Sequence, residues 1–148
     1  MGTYPIKIDI KGRASVPKPY REILEKQAID QLVVTNYQDQ GFSCLEVVPL
    51  PVWDKFLRKF QERPQMDPRV EVFRNFYVTP AHAVALDTAG RLLIPQHLRD
   101  QAGLDHEIIV VGATDRFRIW DAESWAKVFA ESAKQFAEAK AALAADLS

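Results

Sequence analysis

The segment DIKGRASVPKPYR, Asp9 to Arg21, lies without a gap over DTAGRLLIPQHLR, Asp87 to Arg99, and this duplication constrains the fold more than any other feature of the chain. Asp9 and Asp87, Gly12 and Gly90, Arg13 and Arg91, Pro17 and Pro95, and Arg21 and Arg99 coincide, and apolar character matches at Val16 and Ile94. Further on, Leu32 to Val34 answers Ile109 to Val111, and Trp53 answers Trp125 after a shorter second loop. Two such copies within 148 residues imply a tandem duplication whose units build one architecture together. The expected division is a first repeat with its following helix over 1–63, a connecting helix over 64–80, and a second repeat with a C-terminal helix over 81–148.

Each copy carries the same local signals. Ile6 and Ile8 alternate with Lys7, the period of a half-buried strand. The turn residues follow, Asp9 at the first position and Gly12 at the last, as in a three-residue hairpin loop that ends in a glycine bulge. Alternation then resumes, with Ala14 and Val16 inward and Arg13 and Ser15 outward. Prolines 17 and 19 open a short helix through Ile23 and Leu24, and QLVVTNY and SCLEVV read as two further strands around Gly41. The second copy turns at Asp87 to Gly90, and its helix after Pro95 stops at Gly103. EIIVVGA and RFRIW close that copy. Trp53, Phe56, Leu57 and Phe60 share one helical face, Asp67 caps a helix whose first turn holds Pro68, and Phe76 joins Trp53, Phe56 and Phe60 in expected core packing. The tail from Ser124 places apolar residues at 125, 129, 136, 143 and 147, a helical spacing that suits packing on its own body or on a neighbouring subunit.

Several function classes find no support in the residues. No serine sits in a nucleophile-elbow context, and Cys44, alone and flanked by strand-like apolar residues, reads as a buried inert thiol. His82, His97 and His106 have no metal-ligand spacing, and DIKGRAS has one glycine where a phosphate-binding loop needs several. The expectation is a protein that is not an enzyme, with no cofactor and no metal. A lone cysteine, no apolar run long enough for a bilayer and no signal-peptide layout give a cytoplasmic expectation without membrane attachment.

Charge distribution says more than net charge, which is −1. Residues 1–22 carry Lys7, Lys11, Arg13, Lys18 and Arg21 against Asp9 and Glu22, so a basic edge sits on an acidic body. A local Asp9–Arg13 salt bridge on an exposed hairpin would be unremarkable by itself. Its recurrence at Asp87 and Arg91 points to a use for the arginines. A β-ribbon with outward bases can enter the major groove of DNA, where Arg reads guanine O6 and N7 through a bidentate fork. Arg13 and Arg91 are therefore the candidate base readers, with Lys7, Lys11, Lys18 and Ser15 as flanking contacts. Asp9, Gly12, Asp87 and Gly90 shape the turns, since a carboxylate repels phosphate.

These two stretches resemble the tandem repeats of the MraZ family, over about Ile6 to Trp125, with the second copy's Gly-Arg, Ile-Pro, Leu-Arg, Ala-Gly-Leu and Ile-Trp-Asp the most diagnostic. The resemblance implies an α+β, mainly β fold of two AbrB-like (SpoVT/AbrB) repeats, forming a swapped-hairpin β-barrel with flanking helices. In AbrB two chains exchange hairpins, and here the two copies of one chain would pair instead. It also implies a transcriptional regulator, acting as a repressor, that assembles into homo-oligomeric rings and binds direct repeats in double-stranded DNA upstream of the division and cell wall genes. Such a protein works at the nucleoid. The carried-over DNA contacts are Arg13 and Arg91. The chain departs from the family at MGTYPIKID, which lacks the usual Phe, at Ala89, which stands where the first turn has Lys11, and at Arg118, where an acid is common. The alternative expectation is an AbrB-like protein-interaction module that oligomerises without reading DNA.

Overall fold

Proline and glycine punctuate both copies at matching places, and the computed structural model, which describes residues 2–147, follows that punctuation. Strand β1 (Thr3–Lys7) leads through the Asp9–Gly12 turn to β2 (Arg13–Ser15), helix α1 (Lys18–Lys26), and strands β3 (Gln31–Asp39) and β4 (Phe42–Pro49). Helices α2 (Leu50–Gln61) and α3 (Pro68–Phe73) come next, with a π-helical turn over Arg74–Val78. The second copy repeats the order as β5 (His82–Ala85), β6 (Arg91–Leu93), α4 (Gln96–Ala102), β7 (Glu107–Gly112), β8 (Phe117–Asp121) and α5 (Ala122–Leu147). Pro17, Pro49 and Pro95 sit immediately before α1, α2 and α4, where a fixed φ and a missing N–H cost nothing. Asp67 caps α3 by accepting from Arg69 N, and Gly103 ends α4 in the left-handed conformation.

The two copies interleave. A six-stranded antiparallel sheet runs β1-β7-β8-β4-β3-β5, and β2 pairs with β6 in a separate two-stranded ribbon. Exchanging each strand for its counterpart in the other copy reads the six-strand order backwards, so a pseudo-two-fold axis passes between β4 and β8 and between β2 and β6. The chain forms two tandem repeats in an α+β fold built on a large antiparallel sheet with flanking helices, each repeat lending its first arm to the other. The strands make a sheet and a ribbon rather than one continuously bonded barrel. The expected hairpin closes only at its turn, where Asp9 N donates to Arg13 O at 3.0 Å. Beyond that bond β1 leaves for β7 and β2 for β6. The crossing lets Ala14, Val16, Leu92 and Ile94 enter one shared core, which two separate hairpins could not build.

That core takes Leu24, Leu32 and Val34 from the first copy and Leu98, Ile108 and Ile119 from the second. On the other face of the sheet Val33 and Val48 meet Trp53 and Tyr77, while Cys44, Trp120 and Val128 form a third cluster. Burial pushes the Cys44 thiol up to about 12, in keeping with an inert side chain. One acid is buried among these aromatics: Glu46, 2% exposed. Tyr77 Oη donates to Glu46 Oε1 at 2.5 Å, and Arg116 and Arg118 reach its two oxygens at 3.1 and 3.3 Å. Glu46 and Arg118 oppose each other in the β4–β8 register. Counted back from the matched Trp53 and Trp125 they are equivalent positions, so the pseudo-two-fold axis passes between them. Helix α5 packs through Trp125 and Val128 and touches Gln40 through Ser132; every described residue beyond Ser132 is exposed.

Candidate nucleic-acid interface

Each turn is built by one aspartate. Asp9 Oδ1 accepts from the backbone N–H groups of Lys11 and Arg13, both at 2.9 Å, and Oδ2 accepts from Arg13 Nε at 2.7 Å. Asp87 does the same with Ala89 N at 2.9 Å, Arg91 N at 2.8 Å and Arg91 Nε at 2.8 Å. Gly12 N and Gly90 N close the loops onto the Asp9 and Asp87 carbonyls, each at 3.0 Å. Both glycines have positive φ, +88° and +74°, the region where a side chain is strained. The bonds from the arginine backbone N–H groups are the largest influence holding the Asp9 and Asp87 carboxyls below the usual aspartate range. The first turn is copied in the second bond for bond.

Pairing of β2 with β6 brings the turns together. Arg13 lies opposite Leu93, Ala14 opposite Leu92 and Ser15 opposite Arg91. Val16 N donates to Gly90 O at 3.0 Å and Ile94 N to Gly12 O at 2.9 Å, which extends the ribbon to both glycines. Ala14 and Leu92 face the core, so Arg13, Ser15, Arg91 and Leu93 share the outer face. The arginine side chains are 31% and 36% exposed. Among the described residues each is held at Nε alone, which leaves the two terminal nitrogens as an unspent donor fork.

The other named residues scatter more. Lys11 is exposed within the first turn. Lys7 lies opposite Glu107 on β7 and lines a cavity with Asp105, Asp121 and Glu123, an acidic neighbourhood off the ribbon. Lys18 opens α1, 3.9 Å from Glu22. Two apolar residues, Ile10 (97% exposed) beside Lys11 and Leu93 (52% exposed) on the ribbon, escape a reading that looks for bases. Position gave a usable signal for Leu93, which is the counterpart of Ser15. His82 and His97, far apart in sequence, bring their rings to 4.9 Å. Among the described residues no three His, Cys, Asp or Glu side chains gather to hold a metal ion, and no helix is long and apolar enough to cross a membrane.

The family model described as MraZ protein matches twice, over residues 1–76 and 77–147. The chain belongs to the MraZ family. Each match carries one Asp-x-x-Gly-Arg turn, and the boundary falls within the π-helical turn that joins the copies. MraZ relatives cover most of the chain. The protein named transcriptional regulator MraZ from Acidithiobacillus ferrooxidans (strain ATCC 53993 / BNL-5-31) is 40% identical over 84% of this chain and 83% of its own length. That of Thioalkalivibrio sulfidiphilus is 36% identical over 85% and 82%, and that of Leuconostoc citreum 32% identical over 92% and 90%.

Proposed function

We propose that this MraZ-family protein is a sequence-specific DNA-binding transcriptional regulator whose β2–β6 ribbon enters the major groove. One observation carries the reading: Arg13 and Arg91 lie on one outer face of the ribbon, each fixed at Nε by an aspartate with its terminal fork unspent. A guanidinium held in this way loses little entropy when the fork closes on guanine O6 and N7. Ser15 between the arginines adds a hydroxyl, and Leu93 and Ile10 suit the thymine methyl. Lys11, beside the first turn, supplies a phosphate contact that positions the ribbon, and Lys18 and Lys7 contribute from further out. The targets in this reading are direct repeats in the promoter of the division and cell wall genes, which the protein represses from the nucleoid as a homo-oligomeric ring. The names of the relatives support the regulatory part. The exposed Phe129, Phe136, Leu143 and Leu147 of α5 support self-association, since a solvent-stranded helix end of this kind gains little stability by itself. Several protomers on tandem repeats would sum weak contacts at high effective concentration.

Mobility shifts on promoter DNA containing the direct repeats test the reading, with Arg13→Ala and Arg91→Ala each checked for folding by thermal denaturation. Each substitution is expected to weaken operator binding by about 1–3 kcal/mol while leaving weaker, salt-sensitive binding to scrambled DNA. If both folded variants bind the operator like the parent protein, the ribbon does not read DNA. Salt-insensitive capture of a protein partner in place of DNA would favour an interaction module instead.

A further inference from the structure

The second arginine of each repeat, Arg21 in α1 and Arg99 in α4, has no part in the base-reading account, yet the structure places both against the turns. The glycine that each lies against belongs to the turn of the other copy. A Cβ at Gly90 would lie 2.5 Å from Arg21 Cδ and 3.0 Å from its Nη1, and a Cβ at Gly12 would lie 2.6 Å from Arg99 Cζ. Arg21 of the first copy therefore lies across the second turn, and Arg99 of the second copy across the first. The hydrogen bonds trace the same crossed circuit: Arg21 Nε donates to Val16 O at 2.9 Å, and Val16 N donates to Gly90 O at 3.0 Å. Its mirror runs from Arg99 Nε to Ile94 O at 3.0 Å and from Ile94 N to Gly12 O at 2.9 Å. Among the described residues neither Arg21 nor Arg99 forms a salt bridge. What fixes each is one backbone carbonyl and the bare face of a glycine, and Arg99 Nη2 donates in addition to Gln96 Oε1 at 2.9 Å.

We infer that Arg21 and Arg99 are positioning residues that act crosswise: Arg21 sets the aim of Arg91, and Arg99 sets the aim of Arg13. The Arg99 guanidinium lies over Gly12, and Arg21 lies over Gly90 through its Cδ and guanidinium, in each case on the glycine immediately before the reading arginine, so the side chain fixes where the turn ends and the ribbon begins. This gives Gly12 and Gly90 a second requirement beside positive φ, since a side chain there would displace the brace. It also accounts for the recurrence of the Gly-Arg pair together with an arginine eight residues further on, because one copy's brace serves the other copy's turn. The effect on binding rests on the DNA-reading proposal; the effect on the turns does not.

Two measurements on the full chain separate these. Hydrogen exchange is followed at the Gly12, Arg13, Gly90 and Arg91 amides in Arg21→Ala, Arg21→Lys and Arg99→Ala. Losing Arg21 should speed exchange at Gly90 and Arg91 and spare Gly12 and Arg13, and losing Arg99 should do the reverse. Equal loosening of both turns, or loosening of the same-copy turn alone, overturns the inference. Operator affinities are then compared in double-mutant cycles. Arg21→Ala with Arg91→Ala should depart from the product of the single effects by more than about two-fold, while Arg21→Ala with Arg13→Ala should multiply within that margin. Arg21→Lys should bind as poorly as Arg21→Ala, since a lysine keeps the charge but has a methylene where Arg21 Nε donates to Val16 O and has no Nη1 over Gly90. Recovery by lysine would mean that charge alone matters, and would overturn the inference. A parent protein that fails to prefer its operator would remove the DNA-reading proposal, and the exchange pattern would still decide the crosswise brace.

Discussion

Asp9 and Asp87 each do three things with one carboxylate: they terminate two backbone N–H groups, close the turn, and hold a guanidinium by its Nε. All three are stronger with the ionised form, and so the carboxyls are held below the usual aspartate range. The sign of the linkage follows. The stabilisation is fully present above the unfolded aspartate value of about 3.9 and is lost as pH falls through the lowered folded value. Carboxyl titrations by NMR should therefore give Asp9 and Asp87 midpoints below that value, with the amide shifts of Arg13 and Arg91 moving at the same midpoints. Midpoints at or above it would mean that the turns are not held by their carboxylates. Asp, Gly and Arg were legible in the sequence because a tight turn is local chemistry with a fixed order of residue types. The brace by Arg21 and Arg99 was not, because the contact joins residues far apart in the chain and exists only after the arms cross.

Among the elements, alternation identified the strands that have a dry and a wet side, and proline and glycine marked where helices begin and end. Strand pairing was another matter. Strands β2 and β6 hold three residues each, and nothing inside RAS or RLL names its partner; the pairing follows from burying Ala14, Val16, Leu92 and Ile94 in one core. The same long-range pairing places Lys7 beside Glu107 and brings His82 to His97. It also makes sense of Glu46, which looks misplaced in the apolar run CLEVV until β8 supplies Arg118 opposite and Tyr77 and Arg116 complete its shell. Opposite charges at equivalent positions favour pairing between unlike copies, where two glutamates or two arginines would repel. Thermal or urea unfolding should find Glu46→Arg destabilised by about 3 kcal/mol or more, since it buries an unpaired charge beside two arginines. The exchanged pair, Glu46→Arg with Arg118→Glu, should recover part of the loss. An exchanged pair as unstable as the sum of its single changes would show that the two charges do not recognise each other.

For the whole molecule, duplication followed by crossing puts two turns of one bonding pattern at the ends of one ribbon, with their arginines on one face. A single repeat presents one arginine fork of this kind; the pseudo-two-fold pair presents two, spaced by β geometry, and these are the readers in the proposed function. In the proposed reading such a surface does not need a basic protein, because the two turn carboxylates, Asp9 and Asp87, are each spent on an arginine. Two arginines in one groove also make a chemical prediction that leaves the protein untouched. Replacing the operator guanines with 7-deazaguanine removes the N7 acceptor and preserves Watson–Crick pairing. Affinity for the substituted operator should fall by up to about 1–3 kcal/mol per guanine read, and Arg13→Ala or Arg91→Ala should lose correspondingly less on the substituted DNA than on the natural one. Equal affinity of the parent protein for the natural and substituted operators would contradict major-groove reading by Arg13 and Arg91.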